Sequence, residues 1–253
     1  MSSPLTTEPG QLSVQLYTLR DALAEDFDGT LGRLAGLGYT QVEPFQFLSF
    51  ADELRAGLAR HGLSAPTGHV GLLSGDQDAI LALAVELGMT TVIDPSSDPA
   101  RWQDADEIGA IARDLNAAAE KAAGYGLRVA YHNHHFELES RIGERHALEV
   151  LADQLAPEVG LEVDTYWAYA GGADVPALLR RLGERVVALH VKDGDGSLDT
   201  KRQVAVGSGS LPVWAFIAAA PHALRVVELD DSAGDLFTAV ADSRAYLLAG
   251  EPA

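Results

Sequence analysis

Short runs of β-branched and apolar residues alternate along this chain with longer Ala- and Leu-rich stretches at helical spacing, and the alternation repeats about eight times. Such a chain folds as parallel α/β, because each helical stretch is the crossover that returns the next strand in the same direction. The strand candidates are residues 12–16, 40–43, 64–69, 90–94, 127–133, 160–164, 185–191 and 224–229, and clear helical stretches cover 50–61, 80–87, 102–125 and 236–248. Gly38, Gly62, Gly88 and Gly126 follow helical runs, where a left-handed cap turns the chain into the next strand. Eight strands in 253 residues is the pattern of a single (β/α)8 TIM barrel. A doubly wound sheet would alternate in the same way, but Gln15-Leu16-Tyr17-Thr18-Leu19-Arg20 follows the first strand where a Gly-rich dinucleotide loop would stand. Residues 1–10 are expected to form a flexible N-terminal tail and residues 11–253 one barrel domain.

Composition narrows the chemistry. A formal net charge of -19 repels polyphosphate, so neither nucleic acid nor an anionic membrane is an expected partner. Without cysteine, any metal must be held by histidine, carboxylate and water. The first ten residues lack a basic and an apolar region, and no apolar run reaches about 20 residues, so a cytoplasmic protein is expected.

Strand side chains alternate, so residues sharing the parity of each strand's last polar residue point into the barrel. That row reads Ala130, His132, His134 on the fifth strand and Gly160, Glu162, Asp164 on the sixth; Val186, Ala188, His190, Lys192 follow on the seventh and Leu224, Val226, Glu228, Asp230 on the eighth. Ionisable residues arrive at the C-terminal ends, the face on which TIM-barrel active sites are built. His132, Asp164, His190 and Glu228, taken as lying at matching depth, form a set for one divalent metal: Mn, Zn, Co or Fe, with Mg less suited. A single inward histidine is more often a hydrogen-bonded core residue than a ligand, but four ionisable groups on adjacent strands are expensive to bury unless paired or metal-bound. Glu43 ends the second strand as a proton donor, a substrate ligand or an orienting partner for a ligating histidine. Lys192 shares the mouth and can neutralise an oxyanion or pair with Asp193 or Asp230. His69, Gln15 and Tyr17 end the third and first strands as substrate-binding candidates, joined by His134 and by Trp167 as an apolar wall. The turn Gly207-Ser208-Gly209 is read as an ordinary loop.

Gln15-Leu16-Tyr17, Val42-Glu43-Pro44, Tyr131-His132-Asn133-His134-His135-Phe136-Glu137, Asp164-Thr165-Tyr166-Trp167, His190-Val191-Lys192-Asp193, Val206-Gly207-Ser208-Gly209 and Glu228-Leu229-Asp230 together resemble the xylose isomerase-like TIM-barrel family. That family contains sugar-phosphate isomerases and epimerases, inosose isomerases and dehydratases, and an apurinic endonuclease branch, and the resemblance spans nearly the whole chain. It implies a metal held by a Glu, an Asp, a His and a Glu from four successive strands, with the two glutamates passing protons through a metal-bound enediolate. Asp164, His190 and Glu228 match three of those positions, whereas His132 stands in place of the first glutamate, and His134 is the alternative ligand from the same strand. The resulting expectation is a metal-dependent isomerase or epimerase of a keto sugar, inosose or related polyol, with Glu228 as base and Lys192 and Glu43 as further catalytic groups. The alternative is a lyase or dehydratase eliminating from a keto sugar or keto-glycoside, because the second glutamate is missing. A phosphodiester hydrolase fits the acidic balance poorly, and a non-catalytic sugar-binding barrel would tolerate loss of the mouth residues. Related barrels often pair, which makes a homodimer the assembly to test.

Overall fold

The computed structural model describes residues 5–251. Its main sheet is parallel and has seven strands, β1 (Leu12–Val14), β2 (Thr67–His69), β3 (Thr91–Asp94), β4 (Arg128–His132), β7 (Gly160–Asp164), β8 (Val186–Val191) and β9 (Leu224–Val227). The order is β1-β9-β8-β7-β4-β3-β2, and a separate antiparallel pair, β5 (Arg141–Ile142) and β6 (Arg145–His146), forms a small hairpin. Among the described residues the main sheet has seven strands where eight are expected. The remaining strand, expected at residues 40–43, is replaced by single parallel bridges over residues 41–45, Gln15 to Glu43 on one side and Gln41 to Ser64 and Phe45 to His69 on the other. Pro44 supplies no N–H there, and Gln46 turns the chain into the left-handed region at φ 41°, so the run stops before a ladder develops. Pro66 likewise confines the predicted 64–69 strand to its last three residues.

The predicted helical stretches are present with shifted ends, as Ala51–His61, Gln77–Glu86, Ala105–Ala123 and Leu236–Ala249. Acidic residues do much of the capping: Asp26, Asp76, Asp104, Asp174 and Asp235 each accept backbone N–H bonds at a helix start, where the dipole favours negative charge. Gly38, Gly62, Gly88 and Gly126 have φ between 66° and 90°, the left-handed region expected of them. The longest helix buries Ile108, Ile111, Leu115, Ala118 and Ala122 at spacings of three and four residues, and each buried Ile or Leu contributes roughly 1.5–3 kcal/mol. Of the expected tail, residues 1–4 lie outside the described residues, and Leu5 C=O accepts a hydrogen bond from Glu251 N–H. No helix among the described residues is long and apolar enough to cross a membrane.

Candidate metal centre

Strand register determines which ionisable groups meet. Asp164 stands opposite His190, and His190 opposite Val226, which puts Glu228 one pleat higher on the last strand. His132 stands opposite Glu162, two residues before Asp164. The matching depth expected for His132 and Asp164 is therefore corrected: neighbouring barrel strands are staggered, so strand ends of equal parity need not be level.

The side chains fall into two groups that share His190. In the first, His190 Nδ1 lies 2.7 Å from Glu228 Oε2 and 4.0 Å from Asp164 Oδ2. Lys192 Nζ sits between the carboxylates, 2.8 Å from Asp164, 2.5 Å from Glu228 and 2.7 Å from Asp230. Asp230, the pairing expected for Lys192, is itself held by Gln203, whose side-chain amide both donates to its carboxylate and accepts its backbone N–H. In the second group Glu162 Oε2 lies 2.5 Å from His69 Nε2, 3.0 Å from His132 Nδ1 and 3.1 Å from His190 Nε2. His132 thus turns Nδ1 to this group, and its Nε2 is 4.0 Å from Asp164. Glu43 borders the second group, 2.8 Å from His190 Nε2 and 3.2 Å from His69 Nε2, and is steadied by the Gln15 amide and the Thr67 hydroxyl. All of these acid and imidazole groups except Asp230 are buried.

Burial and mutual charge divide the protonation states. Burial raises Asp164 against the pull of Lys192 and His190, to about 6. Burial and the Glu43 charge lift Glu162 to about 7. Glu228 is buried too, but Lys192 and His190 outweigh that and hold it ionised far below the usual carboxylate range. Burial opposes the charge of His69, yet Glu43 and Glu162 lift it to about 9; His190 is raised for the same reason by Glu162 and Glu228. Burial together with the charges on His190 and His69 keeps His132 neutral, and burial and Lys192 push His134 down to about 4. The arrangement supplies an ionised base, a fixed ammonium and neutral imidazoles within one volume.

A cleft opens over this centre, and Tyr17, Phe45, Gln46, His69, His132, His134, Glu228 and Asp230 are among its lining residues. Tyr17 and Phe45 meet edge to face at 5.3 Å. His134 contributes a ring whose buried Nδ1 has no hydrogen-bond partner among the described residues. Its backbone N–H is held by Glu137, which also accepts the Tyr131 hydroxyl. Two of the expected substrate contacts lie elsewhere. Gln15 is fully buried against Glu43, and Trp167 is packed with its ring 5.4 Å from Lys192 Nζ and does not line the cleft. Asp193, a suggested partner of Lys192, instead accepts N–H bonds from Gly194, Gly207, Gly209 and Leu211, so it ties the loops after β8 together.

Glu162 is the residue that sequence reasoning left without a role. The signal was present: it shares the inward parity of Asp164, and a carboxylate low in a barrel is costly unless something pairs with it.

A parallel α/β sheet with a buried imidazole–carboxylate centre at its C-terminal strand ends defines the class of protein. Residues 31–225 match the xylose isomerase-like TIM-barrel family, and the chain belongs to it. Among curated proteins, an inosose dehydratase of Geobacillus kaustophilus is 25% identical over 238 residues, covering 80% of this chain and 76% of its own. A sugar phosphate isomerase/epimerase from Parabacteroides distasonis superposes with a TM-score of 0.78 at 23% identity, covering 94% of this chain and 93% of its own. The IolI protein, in a crystal structure with a bound zinc atom, superposes with a TM-score of 0.69 at 15% identity over 94% of this chain and 98% of its own. The two structural likenesses speak to the fold.

Proposed function

We propose that this chain is a closed (β/α)8 barrel enzyme, its segment 41–45 acting as the eighth stave, that removes the α-proton of a keto sugar, inosose or related polyol with the help of one divalent metal at its mouth. The observation that carries the reading is the trio Asp164, His190 and Glu228, whose donor atoms lie within 4.8 Å of one another beside the Lys192 ammonium. Two carboxylates and an imidazole, with a further position left for substrate oxygens, suit a catalytic cation such as Mn²⁺, Zn²⁺, Co²⁺ or Fe²⁺. When bound, the cation supplies Lewis-acid polarisation of the substrate carbonyl. Glu228 lines the cleft and is ionised, which makes it the base. Lys192 faces the same point and offsets negative charge growing on the substrate oxygen. His134, with its unpartnered ring nitrogen in the cleft wall, binds a substrate hydroxyl.

A second reading, elimination of a β-substituent, is favoured by one feature of the cleft. Opposite Glu228 and Asp230 the lining offers His69, His132 and His134 and no carboxylate, so proton exchange between two facing glutamates has no counterpart. The test is incubation of metal-loaded protein in D₂O with a panel of keto sugars and inososes, followed by NMR. Exchange of the α-proton with carbon skeletons retained supports the isomerase or epimerase reading; loss of water or of an aglycone supports elimination. In either case Glu228→Gln should lower the rate by roughly 10²–10⁴-fold, and no exchange or elimination across the panel would refute both readings.

A further inference from the structure

The second group of side chains holds a buried carboxylate oxygen that hydrogen bonding leaves unsatisfied. Three ring nitrogens, from His69, His132 and His190, converge on one oxygen of Glu162 at 2.5–3.1 Å, while the other oxygen, Oε1, is buried with no partner among the described residues. Hydrogen bonds from His69 and His132 use that oxygen's two lone pairs and His190 Nε2 bonds Glu43, so His190 stands beside Glu162 without bonding it and Oε1 is left orphaned. An orphaned carboxylate oxygen among converging ring nitrogens is what a site for a cation presents. The four donor atoms lie within 4.8 Å of one another, and ligands at about 2.0–2.1 Å around a tetrahedral ion stand roughly 3.3 Å apart, so small shifts would complete the shell.

We propose that the barrel holds a second divalent cation, bound by His69 Nε2, His132 Nδ1, Glu162 and His190 Nε2, one pleat deeper than the mouth trio. His190 presents Nδ1 to Asp164 and Glu228 and Nε2 to this inner group, so with both sites filled its ring would bridge the two ions as an imidazolate, both ring protons having been released to solvent. Glu43, 2.8 Å from the same Nε2 and 3.2 Å from His69 Nε2, offers a fifth donor. Three imidazoles and carboxylate oxygen select Zn²⁺, Co²⁺, Fe²⁺ or Ni²⁺ over Mg²⁺ and Ca²⁺. Entry is through the cleft, since His69 and His132 line it. The inner site depends on no substrate and shares only His190 with the proposed active centre.

The experiment is metal stoichiometry. The intact chain is stripped with a chelator, reloaded with Zn²⁺ or Co²⁺, desalted and analysed by inductively coupled plasma mass spectrometry, with circular dichroism confirming that each variant is folded. Two ions per chain are expected for the wild type and one each for His69→Gln, Glu162→Gln and Asp164→Asn. The cobalt d–d spectrum left in Asp164→Asn should differ from that left in His69→Gln, since different sites remain filled. A single ion retained in His69→Gln and Glu162→Gln but lost in Asp164→Asn would overturn the inner site and leave the proposed function standing. A single ion with the opposite dependence would support the inner site and refute the mouth metal. No bound ion in the wild type would overturn both.

Discussion

Lys192 carries the sharpest prediction about how this centre is balanced. Its ammonium is 1% exposed and lies 2.5–2.8 Å from three carboxylates, those of Asp164, Glu228 and Asp230. Replacing it with methionine keeps the stem's volume and removes the only lysine or arginine ion-paired with them among the described residues. Deleting one partner of a buried pair costs about 3–5 kcal/mol, because the remaining charge is left uncompensated. For a domain of this size each kcal/mol is worth roughly 2–4 °C, so Lys192→Met should melt roughly 6–20 °C below the wild type in a chelating buffer. A divalent cation placed by Asp164, His190 and Glu228 supplies the missing positive charge, and ligand binding to the native state adds its own stabilisation. The gap between variant and wild type should therefore narrow on adding Zn²⁺ or Mn²⁺, even though turnover stays low because the charge beside the substrate oxygen is gone. Differential scanning fluorimetry with and without metal measures both effects. A loss under about 2 °C in chelator, or a gap that metal leaves unchanged, would refute the electrostatic reasoning.

Other consequences follow from the same geometry. The raised pKa of His69, about 9 against a usual 6.5, means its charged form stabilises the fold fully below pH 6.5 and that this stability is lost as pH rises to 9; the contribution is on the order of 3 kcal/mol. Metal-free protein should therefore lose thermal stability over that window, and an equally steep loss in His69→Gln would contradict the assignment. Asp193→Ala strands four backbone N–H groups and should cost roughly 3 kcal/mol or more, with faster amide exchange at Gly207 and Gly209; unchanged exchange there would show that the loops hold themselves. Metal uptake should release about one more proton at pH 6 than at pH 8, because Asp164 and Glu162 titrate near 6 and 7 and must be ionised to bind. Calorimetry in two buffers of different ionisation enthalpy measures the release, and a release independent of pH would count against either carboxylate as a ligand.

What the sequence made legible was whatever depends on local period. Alternation of strands and helices, the capping glycines and the inward parity of His132, Glu162, Asp164, His190, Lys192 and Glu228 all follow from residue spacing. What it hid depends on stagger and on loops. His132 and Asp164 end their strands in the same sense, yet register pairs His132 with Glu162, and no periodicity within one strand contains that offset. Gln15 looked like a cleft residue because it ends the first strand; its amide in fact serves Glu43 across the bridge between segments. Asp193 looked like an ion-pair partner because it adjoins Lys192, but adjacent residues on a strand end face opposite ways, and its four N–H donors come from positions up to 18 residues away.

Charge balance explains why His69, His190 and Lys192 stand together at this centre. Glu43, Glu162, Asp164, Glu228 and Asp230 bring five carboxylates to the centre, and His69, His190 and Lys192 bring three groups held in the positive form. With every carboxylate ionised, two negative charges are left over in a volume that water barely reaches, and an uncompensated buried charge is costly. The protein alone lowers that cost by retaining protons, which is what the raised values of Asp164 and Glu162 express. A divalent cation at the mouth displaces the His190 proton and so removes half of that surplus, without protonating the carboxylates that bind it. The two remedies compete for the same carboxylates, so this centre's affinity for metal, its proton content and its stability should move together with pH.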